Sequence, residues 1–331
     1  MRIESSVSSL SWIPQDAVTG LPRLAFDAGV AHYDPPPPDV LTDLDELRKG
    51  DRFRFANELR AWVEVADGRI VRCGQSGHGH INVTKVGVGR FGVVFPPTAF
   101  PDRRTAENLS PASVRFVQTA GGRTGAPVPR RVPRPPYFQI SAPIAWTTLG
   151  LTISADGTST HEVLGASAFP RHWVYDAEGQ LVAKTGFIDA ESWFAHSFGT
   201  RTPWGEEDSP AIVTAAETAL ERELSVLIMD SRPEFRRLAE GQALVNQGDP
   251  GNEIFLLFDG VLRVEVNGEP VTEVGPGALL GELAVLAGGR RRATLRAVTP
   301  CRIAVVPGDR LDRKALEELA GRWQLAEETD F

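Results

Sequence analysis

Three consecutive arginines, Arg290 to Arg292, lie near the C-terminus in the segment LLGELAVLAGGRRRATLRAV. Glycine and small residues precede them, and Ala293 and Thr294 follow at once. A guanidinium can donate to two oxygens of a phosphate, whereas a lysine offers only a point charge. A glycine-containing loop followed by arginine is therefore typical of a site that encloses a small anion. One arginine is enough for this chemistry, so we expect the other two to face solvent or acidic neighbours.

The composition limits the classes of protein that fit. At 331 residues and 42% hydrophobic content, the chain is long enough for two domains with cores of their own. A net charge of -8 argues against a nucleic-acid partner, since a nucleic-acid backbone requires a clustered basic face. The two cysteines, Cys73 and Cys301, are far apart and predict neither a disulfide framework nor a metal site. Without a signal peptide or membrane span in the sequence, we expect a cytoplasmic protein with no membrane partner.

Residues 1–208 are predicted to form a β-rich N-terminal domain. Stretches such as RFRFANELRAWVEV and APIAWTTLGLTIS have short alternating runs that end in turn residues, interrupted early by a short helix at 39–49. Many short strands of this kind favour a barrel or a sandwich over a doubly wound sheet. The domain contains no glycine-rich phosphate loop and no nucleophile elbow. No catalytic motif is found, and an enzyme is not the favoured class.

The polar candidates in this domain are few. His78 and His80 are two residues apart, which would place both on one face of a strand and could supply two metal ligands. A third ligand is not identifiable, and a glycine-rich turn explains the pair better. We therefore expect no metal, and the sequence leaves open whether a protein or a small molecule binds this domain.

A connecting helix is predicted over residues 209–230. Ser209 is placed to cap it, Pro210 occupies its first position, and an apolar stripe continues to Ile228. The boundary of the C-terminal domain, residues 231–331, is placed at the end of this helix. The domain is predicted to begin with a short helix around Pro233 to Glu240.

Glycines occur at short intervals in the C-terminal domain. Gly248, Gly251 and Gly260 interrupt the apolar and alternating runs of LVNQGDPGNEIFLLFDGVLRVEV. Glycines at such positions let short strands turn tightly, as a small β-roll requires.

At this point the segment resembles a cyclic-nucleotide-binding domain of the kind found in catabolite activator proteins, kinase regulatory subunits and gated channels. The resemblance covers about Arg232 to Trp323. Leu244 to Gly260 fits the first family motif, and Leu280-Gly281-Glu282 with Ala284 and the arginines fits the second, which binds phosphate in the family. The resemblance implies a jelly-roll with flanking helices and a bound cAMP or cGMP.

Family roles follow by position. Glu282 resembles the glutamate that accepts a hydrogen bond from the ribose 2′-hydroxyl, and Arg291 resembles the phosphate ligand. A loop one residue longer would make Arg292 the ligand instead, so both stay candidates. The complete set of predicted nucleotide-contacting residues is Gly281, Glu282, Leu283, Ala284, Arg291, Arg292, Ala293, Thr294 and Trp323, the last as an aromatic that stacks on the base.

The resemblance implies a sensor more than a catalyst. Arg292 stands where the family's cGMP binders tend to have a hydroxyl, which favours cAMP. No helix-turn-helix segment follows the β-roll, so a DNA-binding regulator is not expected. The preferred hypothesis is a sensor in which the nucleotide regulates the N-terminal domain through the connecting helix. Two alternatives stay open: a nucleotide-gated enzyme, and a scaffold or shell protein with a degenerate site. A homo-oligomer is left open as well.

Overall fold

The computed structural model describes residues 1–14, 23, 33–88, 91–125, 128–131, 138–185, 203–204, 213–217, 219–286 and 289–320. These residues are mainly β, as the sequence predicts. They fall into two compact units, one with the described residues up to Ala183 and 203–204, the other with Lys184, Thr185 and those from 213 onward. In the ranges above, no helix has both the length and the apolar character needed to cross a membrane.

The N-terminal unit contains strands of 2 to 12 residues and one described helix, α1 (Leu44–Lys49). Asp43 caps this helix by accepting a hydrogen bond from the backbone N–H of Glu46. The strands are β1 (Arg2–Trp12), β2 (Phe55–Ala66), β3 (Arg69–Ser76), β4 (Gly79–Ile81), β5 (Thr84–Val88), β6 (Phe91–Phe95), β7 (Thr98–Ala99), β8 (Arg103–Ser110), β9 (Ser113–Arg123), β10 (Val128–Arg131), β11 (Phe138–Ser141), β12 (Ile144–Ser154), β13 (Ser159–Ala166), β14 (Arg171–Tyr175) and β15 (Leu181–Thr185).

Two antiparallel sheets of this unit share one core. The first has the order β15-β14-β1-β2-β3, and the second has the order β13-β12-β9-β7 with β8 also on β9. Alternate residues of each strand point inward, as Leu149, Leu151 and Ile153 do on β12. The shared cluster consists of Val7, Leu59, Ala61, Val63, Val114, Phe116, Leu149, Leu151, Ile153 and Val174. This arrangement is sandwich-like, one of the two predicted architectures.

The C-terminal unit is a β-roll with helices on one face. Its elements are β16 (Val213–Ala215), α2 (Ala219–Asp230), β17 (Glu234–Leu238), β18 (Ala243–Val245), β19 (Glu253–Asp259), β20 (Leu262–Val266), β21 (Glu269–Val274), β22 (Leu279–Leu280), α3 (Glu282–Leu286), β23 (Thr294–Ala297), β24 (Cys301–Pro307) and a helix α4 over 313–320. The two sheets have the orders β17-β24-β19-β22 and β18-β23-β20-β21.

Strand β19 is apolar on both sides because both of its faces are covered. Phe255 and Leu257 point into the cluster between the two sheets, together with residues of β20, β23 and β24. Ile254 and Leu256 instead pack in a second cluster with Leu224 of α2 and with residues of α4. The unbroken apolar run in the sequence therefore marks a central strand.

The helix predictions hold only in part. Residues 213–215 form a strand where the stripe predicted helix, and α2 begins at Ala219, while 209–212 and 218 lie outside the described residues. The β-branched Val213 and Thr214 favour extended backbone. The helix predicted around Pro233 to Glu240 is wrong: β17 forms there and pairs with β24 from Cys301 to Val305. Cross-strand pairing outweighs local helix propensity at this position.

A buried ion pair lies within the C-terminal unit, ahead of α2. The Nζ of Lys184 donates to the carboxylate of Glu217, and the two side chains are 5% and 6% exposed. Gly277 has a φ of +99°, and a Cβ there would lie 2.5 Å from the carboxyl carbon of Glu217. Glycine is therefore required at 277 for the carboxylate to approach the loop.

Candidate functional site

The candidate site is built around the turn between β22 and α3. Gly281 has a φ of +98°, a conformation that glycine adopts without strain. A Cβ at this position would lie 2.7 Å from both the Nη1 atom of Arg291 and the backbone oxygen of Glu253. Because residue 281 has no side chain, the guanidinium of Arg291 can lie against the loop that carries Glu282.

The three consecutive arginines differ in exposure. Arg291 is 4% exposed, whereas Arg290 and Arg292 are both exposed. The backbone N–H of Arg291 donates to the oxygen of Asp249 at 2.9 Å, and its carbonyl accepts from Gly248 at 2.8 Å. These two hydrogen bonds fix the backbone against the Gly248 turn and direct the middle side chain inward. The structure therefore distinguishes Arg291 from its two neighbours.

Strand β19 holds the guanidinium of Arg291 on two sides. Its Nη1 donates to the backbone oxygen of Glu253 at 2.9 Å, and its Cζ lies 4.6 Å from the centroid of the Phe255 ring. Its Nε and Nη2 atoms are buried and have no hydrogen-bond acceptor among the described residues. A buried guanidinium with two unsatisfied donors is costly unless an acceptor arrives from outside.

Glu282 is the second buried ionisable group of the site. It is 3% exposed, and its Oε2 atom has no hydrogen-bond donor in the described part of the chain. Burial raises the pKa of Glu282 to about 7; the nearby carboxylate of Glu221 raises it further, and Arg291 opposes the shift. Such a carboxylate is able to accept a hydrogen bond from a ligand hydroxyl in a low-dielectric site.

The other predicted site residues have different surroundings. Ala284 is buried, and Leu283, Ala293 and Thr294 are half-buried. The hydroxyl of Thr294 accepts a hydrogen bond from the backbone N–H of Gln247 at 3.0 Å, so it supports the turn. Trp323 lies outside the described residues.

Three contributors to the site were missed by reasoning from the sequence. Glu253 and Phe255 were counted only as part of a motif and a strand, and Glu221 only as part of a helix. Glu221 accepts a hydrogen bond at 3.4 Å from the backbone N–H of Leu279, two residues before Gly281. The available signal was the charged Glu253 two residues before the aromatic Phe255, on a mostly apolar strand.

Polar groups in the N-terminal unit do not converge in the same way. The rings of His78 and His80 have centroids 4.1 Å apart, and burial lowers the pKa of His80. Within the described ranges, no group of three or more histidine, cysteine, aspartate or glutamate side chains is arranged to hold a metal ion.

Cys73 and Cys301 are free thiols, and burial raises the pKa of Cys301 to about 11.

His172 is the most deeply buried histidine described. It is 1% exposed, and its Nε2 donates to the backbone oxygen of Ser167 at 2.9 Å. Its Nδ1 lies 2.6 Å from the hydroxyl of Ser11, which donates to it in the neutral tautomer that carries the proton on Nε2. Burial lowers the pKa of His172 to about 4, in agreement with that tautomer.

The β-roll with the buried Glu282 and Arg291 is that of a cyclic-nucleotide-binding domain. Residues 235–318 match the family model described as the cyclic nucleotide-binding domain. The C-terminal part of the chain thus carries a domain of this family, and the match begins after the N-terminal unit ends.

Known proteins resemble about a quarter to a third of the chain. Lysophospholipase NTE1 of Mycosarcoma maydis is 34% identical over 86 residues, which are 25% of this chain and 5% of that protein. The chain therefore spans a small fraction of this curated relative. The catabolite activator protein of Thermus thermophilus is 26% identical, with 33% of this chain and 58% of that chain covered and a TM-score of 0.28. The structure described as Sp-2Cl-cAMPS bound to PKAR CBD2 is 19% identical over 34% of this chain and 82% of that chain, with a TM-score of 0.28.

Proposed function

We propose that the C-terminal unit binds a cyclic nucleotide through Glu282 and Arg291. One observation carries the proposal: the Oε2 atom of Glu282 and the Nε and Nη2 atoms of Arg291 are buried without hydrogen-bond partners among the described residues. Each unsatisfied buried group costs about 1–3 kcal/mol. A cyclic nucleotide offers a ribose hydroxyl to the carboxylate and two anionic oxygens to the guanidinium, so one ligand satisfies all three atoms.

The fixed direction of the guanidinium supports Arg291 over Arg292 as the phosphate ligand. Arg292 is exposed, and its side chain would have to turn inward to reach the same place. Arg291 is already held by Glu253 and Phe255, so its free donors are oriented before the ligand arrives. Preorganisation of this kind lowers the entropy cost of binding.

We infer that cAMP is the preferred nucleotide. In the family, binders of cGMP tend to have a hydroxyl residue where this chain has Arg292. The nearest hydroxyl in the loop, that of Thr294, is engaged with the backbone of Gln247. The proposed preference rests on the lack of a free hydroxyl at this position.

The proposed role of binding is to regulate the N-terminal β-rich domain, which acts as a binding or interaction module. Helix α2 supports a transmission route because Leu224 and Ile228 pack in one cluster with β19 and β24. Glu221 of α2 also lies near enough to Glu282 to raise its pKa. A ligand that pairs with Glu282 therefore changes the electrostatic surroundings of this helix.

Isothermal titration of the full chain with cAMP, cGMP and 5′-AMP tests the proposal. We expect cAMP to bind more tightly than cGMP, and 5′-AMP to bind at least tenfold more weakly than either because its phosphate is not cyclised. Tighter binding of cGMP would overturn the proposed preference alone. Absence of binding to both cyclic nucleotides at millimolar concentration would overturn the proposed function.

A further inference from the structure

The carboxylate of Glu253 lies between two arginines at unequal distances. Arg236 on β17 donates from its Nη2 to Oε1 of Glu253 at 2.6 Å and approaches Oε2 with Nη1 at 3.5 Å. The Nη2 of Arg291 is 3.8 Å from Oε2, too far for a hydrogen bond. The carboxylate is thus bound by Arg236 and only near Arg291.

Arg236 binds the carboxylate of Glu253, whereas Arg291 binds the backbone oxygen of the same residue. Its Nη1 is held by the backbone oxygen of residue 253, which every side chain at that position would retain. The carboxylate itself competes for Nη2, one of the two donors with no partner in the described part of the chain. A small movement toward Arg291 would bring Oε2 within hydrogen-bond distance and fill that donor.

Arg236 is the group placed to prevent this movement. Its side chain is 36% exposed and that of Glu253 is 33% exposed, so their pair adds little to stability. The pair nevertheless orients the carboxylate, since two donors to one carboxylate fix the direction of both oxygens.

We propose that Arg236 is a positioning residue for the nucleotide site: by holding the Glu253 carboxylate, it leaves the Nη2 of Arg291 free for an anionic oxygen of the ligand. The proposal rests on the proposed function and deepens it. Without Arg236, the carboxylate turns to Arg291, and the ligand must displace it before the phosphate can bind.

A double-mutant cycle on the full chain, read as cAMP affinity, tests this role. We expect Arg236→Ala to weaken cAMP binding about tenfold, within the range of measured couplings between contacting residues. Glu253→Gln should bind at least as tightly as the parent chain, since the backbone oxygen stays. In the Glu253→Gln background, Arg236→Ala should change affinity less than about twofold, because no charged competitor remains.

Three further variants separate positioning from general charge and from folding. Arg237 is the next residue of β17 and is exposed, so Arg237→Ala removes the same charge without freeing Glu253 and should leave the affinity unchanged. Arg236→Lys should restore most of the affinity, because an ammonium can also hold the carboxylate. Arg236→Gln keeps most of the side-chain volume and replaces Arg236→Ala if the alanine variant fails to fold.

The outcomes distinguish this inference from the proposed function. If the parent chain binds neither cAMP nor cGMP, the proposed function fails. If the parent chain binds and Arg236→Ala has no effect, or weakens binding equally in both backgrounds, the positioning role is overturned. Equal weakening in both backgrounds would mean that Arg236 acts on the ligand by its own charge.

Discussion

The guanidinium of Arg291 lies over the ring of Phe255, with its Cζ atom 4.6 Å from the ring centroid. Phe255 is fully buried, and its ring covers one face of the guanidinium. A desolvated contact of this kind is worth about 2 kcal/mol. An anion therefore has to approach the edge of the guanidinium that carries Nε and Nη2.

Alanine substitution of the three arginines tests which of them binds phosphate. Arg291→Ala should weaken cAMP binding by about 3–5 kcal/mol, several hundred-fold or more, because a buried phosphate loses its partner. Arg290→Ala and Arg292→Ala should each cost under about 1 kcal/mol and should lose their effect in high salt. The three changes are adjacent and chemically identical, so calorimetry of all three controls for general charge loss. A large loss for Arg292→Ala alone would favour the longer register of the loop.

The raised pKa of Glu282 predicts pH-dependent binding. A pKa near 7 in the ligand-free fold means that the group is mostly ionised at pH 8 and mostly protonated at pH 6. A ribose hydroxyl that donates to the carboxylate favours the ionised form, so affinity for cAMP should fall about tenfold as the pH falls from 8 to 6. Glu282→Gln should bind weakly with no such dependence. An unchanged slope in this variant would place the titrating group elsewhere.

The same group predicts the pH dependence of stability without ligand. Its folded pKa lies above its unfolded value of 4.5, so its stabilising effect is present below about pH 4.5 and is lost as the pH rises through 7. Thermal unfolding of the ligand-free chain should therefore show Glu282→Gln gaining stability over the parent chain between pH 5.5 and pH 8. Saturating cAMP should remove that advantage, because the ligand then satisfies the carboxylate.

His172 predicts acid sensitivity in the N-terminal unit. Its folded pKa of about 4 lies below the ordinary 6.5, so the neutral ring contributes stability above pH 6.5 that is lost as the pH falls toward 4. A difference of this size corresponds to about 3 kcal/mol at most. Urea unfolding at pH 7 and pH 4.5 should show a smaller loss of stability on acidification for His172→Gln than for the parent chain. His161 is exposed, and His161→Gln should behave as the parent chain does.

Helix α2 provides a test of regulation. Hydrogen exchange along Ala219 to Leu227 should change when cAMP binds, since Glu221 lies next to Glu282 and Leu224 packs on the β-roll. A coupling of about 1–3 kcal/mol between ligand and helix gives a change that exchange rates resolve. Equal protection with and without cAMP would mean that binding is not transmitted through this helix.

The β architecture was predictable because alternation and turn residues are local signals. The runs around Leu149 and Leu59 show the period of two in the sequence, and both form inward-facing strands. The helical stripe was misleading at 213–215, where β-branched residues favour extended backbone, and the helix prediction was wrong at 234–238, where pairing with β24 decides the conformation. Helix propensity is a weak preference that tertiary contacts override.

The residues of the loop that forms the candidate site could be predicted from the sequence. The residues of β19 that hold Arg291 in place could not. Gly281, Glu282 and Arg291 are close together in sequence and form a recognisable motif. Glu253 is 38 residues from Arg291, and nothing local indicates that its backbone oxygen will hold the guanidinium. Long-range contacts of this kind depend on how β19 and β22 pair.

The ion pair between Lys184 and Glu217 has a consequence for protein engineering. Lys184, which belongs to the C-terminal unit, lies 33 residues before Glu217, the carboxylate that it neutralises. A fusion protein that begins at Glu217 keeps the buried carboxylate without its lysine. One that begins at α2 lacks both members of the pair. Removing one partner of such a pair costs about 3–5 kcal/mol. A fusion protein that carries the C-terminal unit therefore has to begin at or before Lys184, because only then are both charges of this pair present.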